Sequence, residues 1–547
     1  MTRRPERAGP VGSSGPAGPK VSAQAGGTAG LIAIGVSVAF TFAVAVAGPS
    51  VMEPVLPGSR VRAGSPPWSL GLHPSPYLAV SLTAAGLAVG TLGLVLVLRA
   101  VRGGWSVPAR AVLVAGLLAA VALTLVPPFG SSDHLSYAAY GRMLVTGHNP
   151  YTTTPAQLAA LGDPVARAVQ DWSGSPSVYG PLATAIQGLA SLVGGTSVRL
   201  TVFMLGLANL AAFAATALLL HRMTRHDPVQ QLRAALLWAC NPLLLQVLVA
   251  GAHVDGQAIV FGVAAVAVMF GPWPVSGPER TSPRASSVPR AAMAGVLIGL
   301  GFAVKITAAL VGVGLAIALM LMLGRQWRRL VPRLTALGAG FAVTAGAAVA
   351  LGGSAMLRQS SQASDMVSIG SPWRVIRTII HLAVAGTAAT DIVKLGAIAL
   401  IVVLAVLLIR GLPIGAGATP AFALALAWLF AWPYVLPWYD ALAWALLPLV
   451  PLVPGTAAAG LVWLLLARTA ALGFGYLPAR QTDAALPPGL GWLQPVIRHG
   501  VTPAVLAVAT VWLVVLMLRA RASAPDQPVR EDPPPEASEA PAREASR

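Results

Sequence analysis

The sequence predicts an all-α integral membrane protein, a polytopic bundle of about 12–14 transmembrane helices with outer-face loops that carry interfacial helices. Three observations carry that fold class. The chain is 56% hydrophobic and only 10% charged, with a mean hydropathy of +0.73. Apolar runs of about 20 residues recur along it, each long enough to cross roughly 30 Å of hydrocarbon. The runs are continuous rather than alternating with period two, which argues against a β-barrel.

The net charge of +18 would suit a nucleic-acid partner if it were clustered on one surface. Instead the basic residues sit in short connections between apolar runs, the pattern that sets membrane topology, and no nucleic acid is implied. A single cysteine, Cys240, excludes an intramolecular disulfide. Lysine is confined to Lys20, Lys305 and Lys394, so Lys305, inside an apolar segment, stands out.

In chain order, residues 1–27 are rich in Pro, Gly, Ser and Arg and read as a disordered tail. Arg3 and Arg4 resemble a secretion signal, but the stretch before the apolar run is too long, so an uncleaved first helix is expected. Apolar spans follow at 28–48, 77–99, 109–128, 198–220, 232–250, 254–271, 291–304, 306–323, 333–352, 389–410, 420–436, 440–455, 456–472 and 500–519. Together residues 28–519 form one membrane domain, and residues 520–547 a second disordered tail. Arginines cluster in every second connection: Arg99, Arg102 and Arg110; Arg222, Arg225 and Arg233; Arg280, Arg284 and Arg290; then Arg325, Arg328, Arg329 and Arg333. The positive-inside rule places these and both termini in the cytoplasm of a multi-pass plasma-membrane protein.

Three polar segments then face outside: residues 129–197, 250–257 and 354–388. The first opens with SSDHLSYAAYGRMLVTGHNPY, residues 131–151. It predicts a helix from about Leu135 to Val145, with Ser131, Ser132 or Asp133 as cap and Gly147 as stop. Asp133, Tyr137 and Tyr140 would share one face. Gly180-Pro181 marks a sharp turn into a helix over residues 181–195, too short to cross and therefore re-entrant or interfacial. Around Trp373, Arg374 and Arg377 the third segment predicts a helix lying on the membrane surface.

No P-loop, HExxH, GxSxG elbow, dinucleotide fingerprint or paired-carboxylate motif is present. Chemistry must come from isolated polar groups at the outer edge. Asp133 is the leading candidate for a general base; the alternative is a helix cap. His253 and Asp255, in GAHVDGQ, mark either a site or a self-satisfied hairpin pair. Lys305 could hold a lipid phosphate or snorkel to headgroups, and Arg142, Arg374 and Arg377 offer the same choice. The cluster WPYVLPWYD, residues 432–440, reads as an interfacial aromatic belt, with a sugar-stacking platform as the minority reading.

The order of these pieces resembles the GT-C-type membrane glycosyltransferases, and among them the polyprenol-phosphate-mannose-dependent α-1,6-mannosyltransferases of the MptA/MptB type. The matching residues are Asp133, Tyr137, Gly141, Gly147, Pro150 and Tyr151, then Tyr179, Gly180, Pro181 and Leu182, then Asn241, Pro242, Gly251, Ala252, His253 and Asp255, and finally Lys305. The likeness covers about residues 100–460. His134 departs from the aliphatic or aromatic residue expected after the acid, and no acceptor-side motif is recognisable.

The resemblance implies a mannose transfer from polyprenyl phosphate mannose to a cell-envelope glycan or glycolipid at the outer face. It implies Asp133 as base, and donor or phosphate contacts from Lys305, Arg142, Arg374, His253, Asp255, Tyr137 and Tyr179. It calls for no cofactor and no obligatory divalent metal. Two alternatives stay open: an arabinosyl or protein O-mannosyl transfer, and a polytopic transporter or lipid flippase. The latter is disfavoured by the lack of convincing internal halves.

Overall fold

The computed structural model describes residues 19–54, 56, 66–271, 287–384, 386–413, 417–451, 457–478 and 486–522. Among the described residues there is no β-strand, and the chain is an all-α polytopic membrane protein. Within the described residues, eight helices are long and apolar enough to cross a membrane, and six shorter apolar helices of 10–17 residues accompany them. The tail expectations fall largely outside the described residues, as do Arg280 and Arg284 of the arginine series. The first helix, α1, already starts within the amino-terminal stretch read as tail, at Pro19, and runs to Ala47.

Helix α1 packs along α2 (Pro76–Arg102), and α3 (Ala109–Thr124) follows. The segment after it is ordered into α4 (Asp133–Val145), α5 (Pro155–Ala160), α6 (Pro164–Arg167) and α7 (Pro181–Gly194), before α8 (Val198–Met223). Gly147 takes a left-handed φ of +79° just past the end of α4, the stop that its position predicts. Helix α7 buries Thr184, Gln187, Gly188 and Ser191 while Leu189, Leu192 and Val193 stay exposed. A face this apolar on a helix too short to cross suits an interfacial position.

Two glycines set the spacing of this region. A Cβ on Gly141 would lie 2.1 Å from the Gln187 carbonyl oxygen, so only glycine lets α4 meet α7 so closely. A Cβ on Gly180 would lie 2.2 Å from the Ala303 carbonyl oxygen, and the Gly180 N–H donates to Val304. That contact sets Tyr179 beside the end of the Val288–Val304 helix, immediately before Lys305.

The Asp255–Phe270, Ile306–Leu323 and Thr419–Ala431 helices complete the ground on which the polar groups stand. The 38-residue Trp327–Ser364 helix is kinked at Gly353, and its far end ties two regions together. Gln359 donates to the Tyr151 carbonyl and Ser360 to that of Val178. The Pro372–His381 helix that follows buries none of its residues and exposes Val375, Ile376 and Ile379, the geometry expected of a surface-lying helix.

Two spans differ from the sequence reading. The helix expected over 420–436 stops at Ala431, because Pro433 and Pro437 cannot continue it. Of residues 440–455, read as a crossing, the described part instead forms a short Ala441–Leu446 helix and a tight Leu447–Leu449 turn, both buried, while residues 452–455 lie outside the described residues. The run is apolar because protein surrounds it, and at this length it cannot cross a bilayer.

Candidate active site

The polar groups converge on one cavity of about 220 Å³. Its α4 wall carries Asp133, Ser136, Tyr137 and Tyr140, the face that i, i+4 and i+7 spacing predicts. Other elements contribute Lys305 and the aromatic side chains of Trp428, Trp432, Tyr434, Trp438 and Tyr439. Ser360 and Ser364, at the end of the long kinked helix, close one side.

Ser132 occupies the cap position of α4 and Asp133 the first helical position. The Ser132 hydroxyl donates to Asp171 at 2.6 Å, and the Asp133 N–H donates to Ser131 Oγ at 3.2 Å. Asp133 Oδ2 lies 3.5 Å from His253 Nδ1. Burial first, and the Lys305 ammonium second, hold the His253 imidazole well below its usual range. The contact is therefore a carboxylate against a neutral ring, and that ring is stacked on Trp438 with centroids 3.5 Å apart.

The GAHVDGQ turn is held by its own network. Ala252 has a left-handed φ of +52°, its carbonyl accepts from Asn209 at 2.7 Å, and Gln257 donates to Asn209 Oδ1 at 2.6 Å. His253 and Asp255 do not pair with each other as a hairpin closure would. His253 faces Asp133, whereas Asp255 Oδ1 lies 2.6 Å from Lys305 Nζ. Lys305 also sits 4.1 Å from the centroid of the Tyr439 ring, a cation–π contact.

Tyr137 and Tyr179 meet edge to face, with hydroxyls 3.3 Å apart. Burial, reinforced by the Asp133 charge, pushes both phenols well above their ordinary range. They remain neutral hydrogen-bond donors.

Of the residues expected from sequence, Asp133, Tyr137, Tyr179 and Lys305 line the cavity, with His253 and Asp255 directly behind them. Two are not brought there. Arg142 is engaged by Asp163 at 2.7 Å, which also caps α6. Arg374 lies exposed on the Pro372–His381 helix. The 432–439 cluster is not a lipid-facing belt: Ser368 bonds both the carbonyl and the N–H of Val435, and Trp373 donates to Ala431, turning the loop inward. Trp172 and Ser360 escaped sequence reasoning because only the tertiary fold brings them to the cavity.

A helical membrane protein with a cavity lined by a carboxylate, an ammonium and several aromatic rings is the class that fold and site define. The family described as alpha-(1->6)-mannopyranosyltransferase, N-terminal domain, matches residues 32–323, more than half of the chain. This chain belongs to that family.

Among curated relatives it is similar to a probable alpha-(1->6)-mannopyranosyltransferase of Mycolicibacterium smegmatis, 30% identical over 242 residues, 41% of this chain and 42% of the relative. Alpha-(1->6)-mannopyranosyltransferase B of Corynebacterium glutamicum is 29% identical over 188 residues, covering 34% of this chain and 30% of the relative. An alpha-(1->6)-mannopyranosyltransferase of Mycobacterium tuberculosis is 33% identical over 150 residues, 27% of this chain and 25% of the relative. The matched stretches thus span less than half the length of each of these relatives.

Proposed function

We propose that this protein is a membrane mannosyltransferase that moves mannose from polyprenyl phosphate mannose to a hydroxyl of a cell-envelope glycan or glycolipid. The observation that carries this reading is a cavity of about 220 Å³ that both Asp133 and Lys305 line. An acceptor hydroxyl beside Asp133 loses its proton to that carboxylate as its oxygen attacks the anomeric carbon. The bond from that carbon to the phosphate oxygen breaks, configuration inverts, and the departing phosphate gains charge beside Lys305. General-base help of this kind contributes about 10²–10⁴-fold, with positioning and electrostatic stabilisation adding to it.

His253 and Asp255 act through their neighbours. The neutral ring of His253 backs Asp133, and Asp255 holds the Lys305 ammonium at 2.6 Å. No step is routed through a metal, and transfer is expected to persist in EDTA. The cavity stands at the ends of the helices opposite the arginine-bearing connections: Lys305 and Arg325, for example, flank opposite ends of Ile306–Leu323. With those arginines cytoplasmic, the cavity faces outside and both termini lie inside.

The test is transfer of radiolabelled mannose in membranes that express the wild-type chain or Asp133→Asn at equal level and thermal stability. Collapse of transfer in Asp133→Asn supports the base assignment. Full activity there removes the role and moves it to Asp255. Absence of transfer by the wild type rejects the mannosyl donor and reopens the transporter reading.

A further inference from the structure

The cavity contains a lip that neither the family match nor the site residues above assign. We infer that Trp172 is the stacking platform for the acceptor sugar, so that the 171–175 loop forms the acceptor subsite. The inference rests on the transferase reading of the same cavity.

Trp172 lines the cavity together with Ser175 and Pro176 of its own loop. Its φ is +66°, a left-handed conformation that bulky side chains rarely adopt. Such strain persists only where the surroundings over-determine it, and it concentrates at ligand clamps. Here the surroundings can be named. Ser132 donates to the Asp171 carboxylate at 2.6 Å, Ser136 to the Asp171 carbonyl at 3.2 Å, and Tyr140 to the Ser175 carbonyl at 3.0 Å. The Ser175 N–H closes a turn onto the Trp172 carbonyl, and the Ala156 N–H bonds the Ser173 carbonyl.

Two of the three side-chain ties come from α4, the helix that bears Asp133, and the third from its cap residue Ser132, the immediate neighbour of Asp133. The loop is therefore built on the α4 side of the cavity, whereas Lys305 directly follows the Val288–Val304 helix, a separate element. A sugar whose hydroxyl reaches Asp133 must lie against α4, within the lip that Trp172 forms. A broad apolar ring suits the C–H face of a pyranose, while the Ser136 and Tyr140 hydroxyl oxygens, whose protons are held by the loop carbonyls, can accept hydrogen bonds from its rim.

The test uses the full chain in lipid nanodiscs, with polyprenyl phosphate mannose as donor and octyl α-(1→6)-dimannoside as acceptor probe. The variants are Trp172→Ala, Trp172→Gly and Trp172→Phe. Glycine accepts the left-handed backbone without strain, so Trp172→Gly separates loss of the ring from loss of the fold. We expect KM for the dimannoside to rise about tenfold in the Ala and Gly variants. It should be largely kept in Trp172→Phe, while KM for the donor stays unchanged in all three. Unchanged acceptor KM in a folded Trp172→Gly variant overturns the inference, as does a rise confined to the donor. A wild-type chain that transfers nothing defeats the transferase reading itself, a result distinct from either.

Discussion

Two polar clusters lie on either side of the Pro437–Asp440 turn, and they are built on opposite plans. On the cavity side, Asp133 stands 3.5 Å from a neutral imidazole and lines a cavity of about 220 Å³. Away from the cavity, Asp440 is fully buried, with Arg468 Nε 2.9 Å from one carboxylate oxygen and Thr469 Oγ1 2.8 Å from the other. Trp444 donates to the same threonine at 3.0 Å. A carboxylate with both oxygens engaged by rigid partners holds structure. One that lines a cavity is placed to meet a substrate. The closed cluster anchors the turn that presents Trp438 and Tyr439 to the cavity, so the second plan supports the first.

The sharpest way to break this comparison is to neutralise each acid in turn. Asp133→Asn is expected to lower transfer by about 10²–10⁴-fold with thermal stability largely kept, because asparagine preserves the size and polarity of this cavity-lining side chain. Asp440→Asn is expected to do the reverse. It leaves the Arg468 guanidinium buried and uncompensated, which costs roughly 3–5 kcal/mol and should show as a lower Tm in detergent. A stable, inactive Asp440→Asn, or an unstable Asp133→Asn, would erase the distinction. Replacing both members, Asp440→Leu with Arg468→Met, should recover much of the lost stability, since a well-packed apolar pair often equals a buried ion pair.

Much of the open cluster was legible in the sequence, for a physical reason. A charged group inside a hydrocarbon-compatible run is costly, so Lys305, Asp255 and His253 stand out against their surroundings, and Asp133 heads a helix in the longest polar segment. The same logic applies to Arg468 in GLVWLLLARTAAL, yet arginine is plentiful in this chain and its rank among the connections hid one that is buried in a core. Pairings were not legible. Nothing local separates Arg142, tied to Asp163, from an arginine free to meet a phosphate. The inward turn of Trp432–Tyr439 depends on Ser368 and Trp373, some 60 residues away, as the separations of 67 and 58 positions record. Periodicity likewise located the apolar run after Asp440 but could not tell a crossing from a segment buried among other helices.

His134 sharpens the comparison from a third direction, with the smallest expected effect. It adjoins Asp133 but is fully buried, and neither ring nitrogen has a hydrogen-bond partner among the described residues. Burial alone drives its pKa down to about 3 from an ordinary 6.5. Because the folded value lies below the unfolded one, the neutral ring's contribution is complete above about pH 6.5 and is lost progressively as pH falls toward 3. Near pH 5 that amounts to roughly 2 kcal/mol. His134→Phe should therefore flatten the acid limb of the stability profile, measured by thermal unfolding between pH 4 and 7, while leaving transfer at pH 7 close to wild type. A profile unchanged by His134→Phe would mean that the acid limb belongs to other groups. Lost transfer at pH 7 in a stable variant would place His134 with the open cluster, because a purely packed ring one residue from the base has no chemistry to lose.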